Sequence, residues 1–324
     1  MYALTHYKKI IETALEQMDC PSSPKGLYVP IDYIMKLGGK RLRPIMTLMI
    51  CDCFGGNHKN AIPAGLAVEL FHNFSLIHDD IMDQAPLRRG QSTVHHKWDL
   101  NTGILSGDAL LILAYRNFES YPPEIFSALS KLFSKTAIQV CEGQQYDMDF
   151  ELRLDVTKKE YLKMIEYKTA VLVGAAMKMG AIVAGAETHQ QNYMYEFGRC
   201  LGIAFQLQDD YLDAFGDPEV FGKLVGGDIL SGKKTYLYLS AFEQGSPEEK
   251  KRLLHFYQNS DISSVDKVAE VKTLFKQTQG DKAVKEAIET FTKRAFDQLD
   301  KINIDEEAKS HLLSFGQELM SRKA

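Results

Sequence analysis

Two short stretches of this 324-residue chain place three aspartates in the same pattern: Asp79, Asp80 and Asp83 in ELFHNFSLIHDDIMD (69–83), and Asp209, Asp210 and Asp213 in QLQDDYLD (206–213). On a helix, residues four apart lie one above the other. Asp79 with Asp83, and Asp209 with Asp213, therefore share a face, while the middle aspartate is turned about 100° round the axis. Asp is a poor helix former and the C-terminal dipole repels anions, so propensity does not account for three aspartates near the end of an apolar helix. Oxygen donors without thiolates suit Mg²⁺, which takes one or two protein carboxylates and fills its shell with water and phosphate oxygens. One such cluster is equally well a solvated helix end. Two are a poor match to chance. Facing each other across a cavity, six carboxylates would drive one another toward protonation unless metal neutralised them, which argues for several Mg²⁺ ions bridging to a polyphosphate.

A polyphosphate also needs cations. GGKRLRP (38–44) supplies Lys40, Arg41 and Arg43 after a flexible double glycine. LRRG (87–90) supplies Arg88 and Arg89 just beyond the first cluster, and Lys223 and the Lys233–Lys234 pair follow the second in a Gly-rich stretch. Arg matches pairs of phosphate oxygens, and Lys acts as a point charge. Each segment alone reads as a solvated basic loop; beside the aspartates they read as an anion site. No Ser/His/Asp or Cys/His triad stands out. None is needed where metals and cations stabilise a departing pyrophosphate.

The elements that must position these groups are helices. Helical periodicity predicts segments at 2–18, 31–37, 43–53, 61–82, 101–119, 124–150, 158–168, 170–186, 190–214, 236–243, 246–257, 264–278, 281–299 and 306–321, with loops at 38–39, 55–57, 87–91 and 215–234. Neither alternating strand patterns nor a βαβ rhythm is present. No linker divides the chain, so it reads as a single all-α domain over 1–324. The stretch 169–186 is long and apolar enough to span a bilayer, but it is rich in Gly and Ala, is broken by Lys178, and reads as a buried bundle helix. The N-terminus has no secretory signal pattern. The net charge of −5 makes no general case for nucleic acid or an anionic membrane as partner. Five scattered cysteines (Cys20, Cys51, Cys53, Cys141, Cys200) form no zinc pattern and read as reduced thiols in the cytoplasm.

Taken in order, GGKRLRP, ELFHNFSLIHDDIMD, LRRG, Lys168–Thr169, QLQDDYLD and GKLVGGDILSGKKT (222–235) resemble the motifs of the trans-isoprenyl diphosphate synthases, the polyprenyl synthetase family. The resemblance covers about 28–239, and the C-terminal helices match only in length and character. It implies a large antiparallel all-α bundle around a deep central cavity, of isoprenoid synthase type, and a homodimer. It also implies Mg²⁺-dependent condensation of isopentenyl diphosphate with an allylic diphosphate, with three ions per active site. By that resemblance Lys40, Arg43, His72 and Arg89 bind isopentenyl diphosphate. Asp79 and Asp83, helped by Asp80, ligate two ions, and Asp209 ligates the third, organised through water by Asp210 and Asp213. Arg88, Lys168, Thr169, Gln206, Lys223 and Lys233 bind the allylic diphosphate. Phe74 and Ser75, five and four positions before Asp79, then set product length. One aromatic at the deeper place resembles the archaeal geranylgeranyl type, with farnesyl diphosphate the alternative product. The alternative reading of Phe74, as a residue that simply packs in the bundle core, is the lesser one.

Two departures are visible: Ser92 and Leu224 stand where the family commonly has proline. They bear on loop rigidity rather than on the matched binding positions. A terpene cyclase would replace the second cluster with an Asn/Asp-Ser/Thr-Glu motif, and a head-to-head synthase would show DxxxD clusters. Glu69-x-x-His72 matches one half of a di-iron carboxylate motif, but the second half is missing. A noncatalytic partner subunit tends to lose one aspartate cluster, and here both are intact.

Overall fold

The computed structural model describes residues 2–18, 21–217, 225–258 and 263–321. Lys223, the expected allylic-site lysine, lies outside the described residues, as do Leu224 and Cys20. The described chain is almost wholly helical, and its helices gather into two compact units.

Unit 1 comprises Met1–Thr136, Ala175–Tyr195 and Asn303–Ala308. It contains α1 (Leu4–Glu16), α2 (Lys25–Lys36), α3 (Leu42–Cys53), α4 (Ile62–Met82), α5 (Val94–Lys97) and α6 (Leu100–Arg116). It also holds the first part of α7 (Pro123–Leu152), most of α9 (Val171–Val183) and the start of α10 (Thr188–Phe215). Its core is built on α4, whose Val68, Leu70 and Phe71 are fully or almost fully buried. Phe71 meets Phe133 edge-on at 5.2 Å, and Phe118 meets the same ring at 5.2 Å. Such aromatic contacts add to the area each ring removes from water. On α9, the expected buried character holds: Ala175, Ala176, Met177 and Met179 are 0% exposed, and Thr47 Oγ1 donates to Ala176 O at 2.9 Å. Among the described residues no helix is long and apolar enough to cross a membrane.

Two local expectations change in unit 1. The second helix begins at Lys25 rather than after Pro30, which lies inside it and forgoes one backbone bond, the one to Gly26. The expected loop at 87–91 is a small antiparallel hairpin, β1 (Leu87–Arg88) on β2 (Gln91–Ser92), with Arg89 and Gly90 at φ 52° and 74° in its turn.

Unit 2 comprises Ala137–Gly174, Glu196–Ile302 and Lys309–Ala324. It holds the second parts of α7 and α10, the start of α9, and α8 (Lys158–Ile165). It also contains α11 (Gly227–Leu230), α12 (Tyr236–Gln244), α13 (Pro247–Gln258), α14 (Ser264–Gln277), α15 (Gly280–Leu299) and most of α16 (Glu306–Met320). Tyr161, Ile165, Leu207, Leu237, Val271 and Phe275 form its core. The helix expected over 158–168 does not run through: after Ile165 the backbone widens into a π-helical turn, Glu166–Ala170, before α9. Such turns often mark functional positions, and this one carries Lys168 and Thr169. Its position depends on Gly143 of α7, where a Cβ would lie 2.2 Å from the Lys168 backbone nitrogen.

Candidate active site

The first cluster closes α4. Asp83 N donates to Asp79 O at 2.8 Å, so the helical turn continues through the cap and keeps the two carboxylates one above the other. Asp80, expected to help as a metal ligand, is held within the protein. It is 2% exposed, and both its oxygens are taken by the Arg88 fork, at 2.8 Å from Nε and 2.7 Å from Nη2. Arg88 is correspondingly committed to a carboxylate, although it was expected at the allylic diphosphate. The three cations of GGKRLRP are likewise not equivalent. Arg41 is 7% exposed and ion-paired to the buried Glu69 of α4, with its second nitrogen on Met35 O. That leaves Lys40, which is exposed, and Arg43 as the cations of the segment that a ligand could use.

Arg43, His72 and Arg89 are brought together. Arg43 Nη1 lies 3.3 Å from His72 Nε2. Burial, reinforced by Arg43, Arg89, Arg88 and Arg41, holds the His72 imidazole well below its usual range, so the ring is neutral and accepts from Arg43. Arg43 Nε is buried without a hydrogen-bond partner. Burial is also the main reason that the Arg43 and Arg89 guanidinium values are lowered. Arg89 donates to Gly38 O and lies on Gly39, where a Cβ would come 3.0 Å from Nη2; Gly38 and Gly39 have φ of 77° and 139°. A buried guanidinium with an unused donor, beside a second one and a neutral imidazole, is a site that gains by accepting an anion with paired oxygens.

In unit 2, Asp209, Asp210 and Asp213 lie in the last two turns of α10. Asp210 is 3% exposed, accepts from the Tyr161 hydroxyl, and receives Gln206 Nε2 at 3.1 Å. Burial pushes its carboxyl up to about 7, and the nearby Asp228 carboxylate adds to the rise. Burial and Asp210 push the Tyr161 hydroxyl far up. Gln206 in turn accepts from Thr169 Oγ1 at 3.3 Å, so the expected pair Thr169 and Gln206 does meet. Asp213 Oδ2 accepts the Asp228 backbone N–H at 2.9 Å and thereby fixes the start of α11. The lysines converge on a residue that sequence reasoning passed over: Asp147 of α7 takes Lys168 Nζ at 2.6 Å and Lys233 Nζ at 3.7 Å. Burial alone would raise Asp147, but Lys233 and Lys168 outweigh it and hold the carboxyl below its usual range. Lys234 does something else. Its ammonium caps the end of α7 through Phe150 O and Glu151 O, each at 3.0 Å.

The polyprenyl synthetase family model matches residues 24–275. This chain belongs to that family. It is 43% identical to the geranylgeranyl diphosphate synthase of Methanosarcina mazei over 238 residues, covering 72% of this chain and 73% of that protein. With the geranylgeranyl diphosphate synthase of Sulfolobus acidocaldarius it shares 37% over 301 residues, covering 92% and 91%. A crystal structure of a geranylgeranyl pyrophosphate synthase superposes with a TM-score of 0.96 at 50% identity, over 100% of both chains. The all-α isoprenoid-synthase class expected from the sequence is therefore the observed one.

For a polyprenyl synthetase, the donors fit a hard cation. The exposed Asp83 and part-exposed Asp79 offer oxygen only, and Asp80 is withdrawn by Arg88. Among the described residues no three His, Cys, Asp or Glu side chains converge to hold a metal without other ligands. Asp147 left one trace in the sequence: it stands four residues after Gly143, so a glycine that admits the π turn and a carboxylate that holds its lysine share one helix face. Tyr161 and Glu69 left none, since a buried tyrosine or glutamate is recognised only by what it touches.

Proposed function

We propose that the chain condenses isopentenyl diphosphate with allylic diphosphates, head to tail, and releases chiefly geranylgeranyl diphosphate. The observation that carries this reading is the pairing of two intact i, i+4 aspartate clusters with cation sets suited to diphosphates, in a family member similar along its length to geranylgeranyl diphosphate synthases. Arg43, Arg89, Lys40 and the neutral His72 hold the isopentenyl diphosphate, with Arg forks gripping oxygen pairs. Lys168 and Lys233, poised by Asp147, receive the charge that grows on the allylic diphosphate as its C–O bond breaks. Thr169 and Gln206 position that substrate. Mg²⁺, three ions per site, would be held by Asp79, Asp83 and Asp209, and would supply Lewis-acid stabilisation of the leaving pyrophosphate. Asp80 and Asp210 orient these clusters, the first through Arg88 and the second through Tyr161 and Gln206. The double bond of isopentenyl diphosphate attacks the allylic cation, and the released pyrophosphate removes the final proton.

Product length would be set on α4. Phe74 is 9% exposed and packs against Phe71 at 5.4 Å and His78 at 4.8 Å between ring centres. Ser75 Oγ donates back to His72 O at 2.9 Å and adds little bulk. Reading the chain as one domain is supported by a single family model running through segments of both units. A homodimer is supported by α6, where Leu105 and Ile112, two turns apart, are 60% and 61% exposed. A cytoplasmic setting is supported by the reduced thiols of Cys51 and Cys200, both buried.

Purified protein given isopentenyl diphosphate with dimethylallyl, geranyl or farnesyl diphosphate should release pyrophosphate in the presence of Mg²⁺ and yield a C20 diphosphate by chromatography. Phe74→Ala should lengthen the product and Ser75→Phe should shorten it. Absence of any prenyl transfer would refute the activity. Two variants with the parent's product distribution would remove the basis for the length assignment.

A further inference from the structure

Away from the aspartates and the diphosphate lysines, unit 2 carries a groove of about 1080 Å³ between α8, α12 and α13. That is at the upper end of the roughly 300–1,000 Å³ usual for pockets that take small organic ligands. Its walls have two characters. Leu162 of α8 and Leu239 and Phe242 of α12 give an apolar floor. Lys159 and Lys163, one turn apart on α8, and Lys250 on α13 stand along its edge. The carboxylates in its wall are already matched: Glu243 pairs with Lys158, and Glu166 pairs with Arg199 at 3.4 Å. Lys159, Lys163 and Lys250 form no ion pair among the described residues. The Lys163 ammonium rests over the Tyr167 ring at 3.5 Å and the Lys250 ammonium lies 5.8 Å from the Phe242 ring centre, so both are held beside aromatic faces and neither is neutralised by a carboxylate.

The ends of the groove are fixed. A capping box starts α8, with Thr157 Oγ1 accepting from Glu160 N and Glu160 accepting from Thr157 N. The Lys158–Glu243 pair ties α8 to α12. At the other end, Glu166 is both a wall residue and the first residue of the π turn that presents Lys168 and Thr169. An occupant that parts α8 from α12 therefore acts on the backbone that aims Lys168.

We propose that this groove is a regulatory site for an anionic amphiphile, and that its occupant is the chain's own prenyl diphosphate product. The apolar floor takes the isoprenoid tail and Lys159, Lys163 and Lys250 take the diphosphate, for which lysines serve as unshaped point charges. The proposed reaction brings prenyl diphosphates to the protein at every turnover, and its product carries the longest apolar tail among them, the best match to an apolar floor. Occupancy displaces Glu166 and with it Lys168, lowering the rate at which the allylic diphosphate ionises. The identity of the occupant rests on the prenyl-transfer reading above; the existence of the groove does not.

The test uses the full chain and geranylgeranyl diphosphate, without isopentenyl diphosphate for binding and with it for kinetics. Calorimetric titration should show two molecules bound per chain in the parent. Lys159→Glu/Lys163→Glu, at surface positions outside the diphosphate site, should bind at the groove roughly tenfold more weakly or not at all. Product should lower the maximal rate of the parent as well as compete with the allylic substrate. In the variant, whose rate without product stays at the parent level, it should only compete. Leu162→Ala, which removes floor rather than charge, should shift the inhibition in the same direction. One molecule per parent chain, or a variant that keeps two molecules and the depressed maximal rate, overturns the proposal. So does lysine-dependent sedimentation with phosphatidylglycerol vesicles alongside a single product site, which would make the groove a membrane-facing surface. If the parent binds two molecules but transfers no prenyl group, the catalytic reading fails and the groove stands.

Discussion

Asp80 and Asp210 occupy the same place in two copies of one sequence pattern, and both are buried to within 3% exposure. Their surroundings differ in kind. Asp80 is answered by a guanidinium that matches both its oxygens, so its charge is balanced in place. Asp210 is answered by a phenol and an amide, neutral donors, and feels a second carboxylate from Asp228; its carboxyl rises to about 7. The contrast extends beyond the aspartates. Unit 1 gathers Arg41, Arg43, Arg88 and Arg89 around one neutral imidazole, with Glu69 and Asp80 as fixed counter-charges. Unit 2 relies on Lys168 and Lys233, held on a shared carboxylate. A fork of fixed geometry suits a co-substrate whose diphosphate stays attached. Mobile ammonium groups suit a diphosphate that leaves. Identical spacing therefore serves two different electrostatic tasks.

The largest effect should be the one the two clusters share. Asp79→Ala and Asp209→Ala should each lower turnover by several orders of magnitude with helix content by circular dichroism unchanged. Near-parent turnover in either would break the parallel between the clusters. The fork-against-point-charge distinction should show next. Arg43→Lys should raise the KM for isopentenyl diphosphate by roughly tenfold or more, while Lys168→Arg should leave that KM alone and lower kcat with the allylic substrate. Equal effects of both variants on both substrates, measured by varying each in turn, would dissolve it.

The central aspartates give a smaller contrast, read in stability. Asp80→Asn leaves Arg88 with a neutral partner and should cost about 1.5–3 kcal/mol. Asp210→Asn removes a charge that burial already disfavours and should change stability by no more than about 1 kcal/mol, provided the Tyr161 hydroxyl keeps its acceptor. Urea titrations of the two variants, in metal-free buffer, decide the order. A last effect, seen only as the pH is lowered, concerns His72. Its folded-state value lies below that of the unfolded chain, so below about pH 6.5 the unfolded chain takes up a proton that the folded one refuses, and stability falls as pH drops. His72→Gln should flatten that fall by at most about 1.4 kcal/mol per pH unit. Parallel stability–pH curves for parent and variant below pH 6.5 would show that the imidazole titrates normally.

Both aspartate clusters, the cation-bearing loops and fourteen helical segments were legible because each is a matter of spacing along the chain. Periodicity at 3.6 residues marks a helix whatever it packs against, and i, i+4 carboxylates share a face wherever that helix goes. Less was legible where two distant residues compete for one side chain. Spacing alone does not tell which cations of the three basic segments have partners within the protein; Arg41, Arg88 and Lys234 meet Glu69, Asp80 and the end of α7. Asp147, which no sequence motif singles out, is the carboxylate that gathers Lys168 and Lys233. The break after Ile165 was also hidden, since a π turn differs from an α turn by one hydrogen-bond step and is fixed here by the missing Cβ of Gly143.

The sequence by itself thus determined the groups on offer: carboxylate clusters in duplicate, cations beside them, and helices to carry both. Tertiary structure decided which of those groups remain available to a ligand. Every buried charge must be balanced within a few ångströms. The partner that balances it, Glu69 for Arg41 or Arg88 for Asp80, is chosen by packing between residues separated by 28 and 8 positions, which no local pattern records.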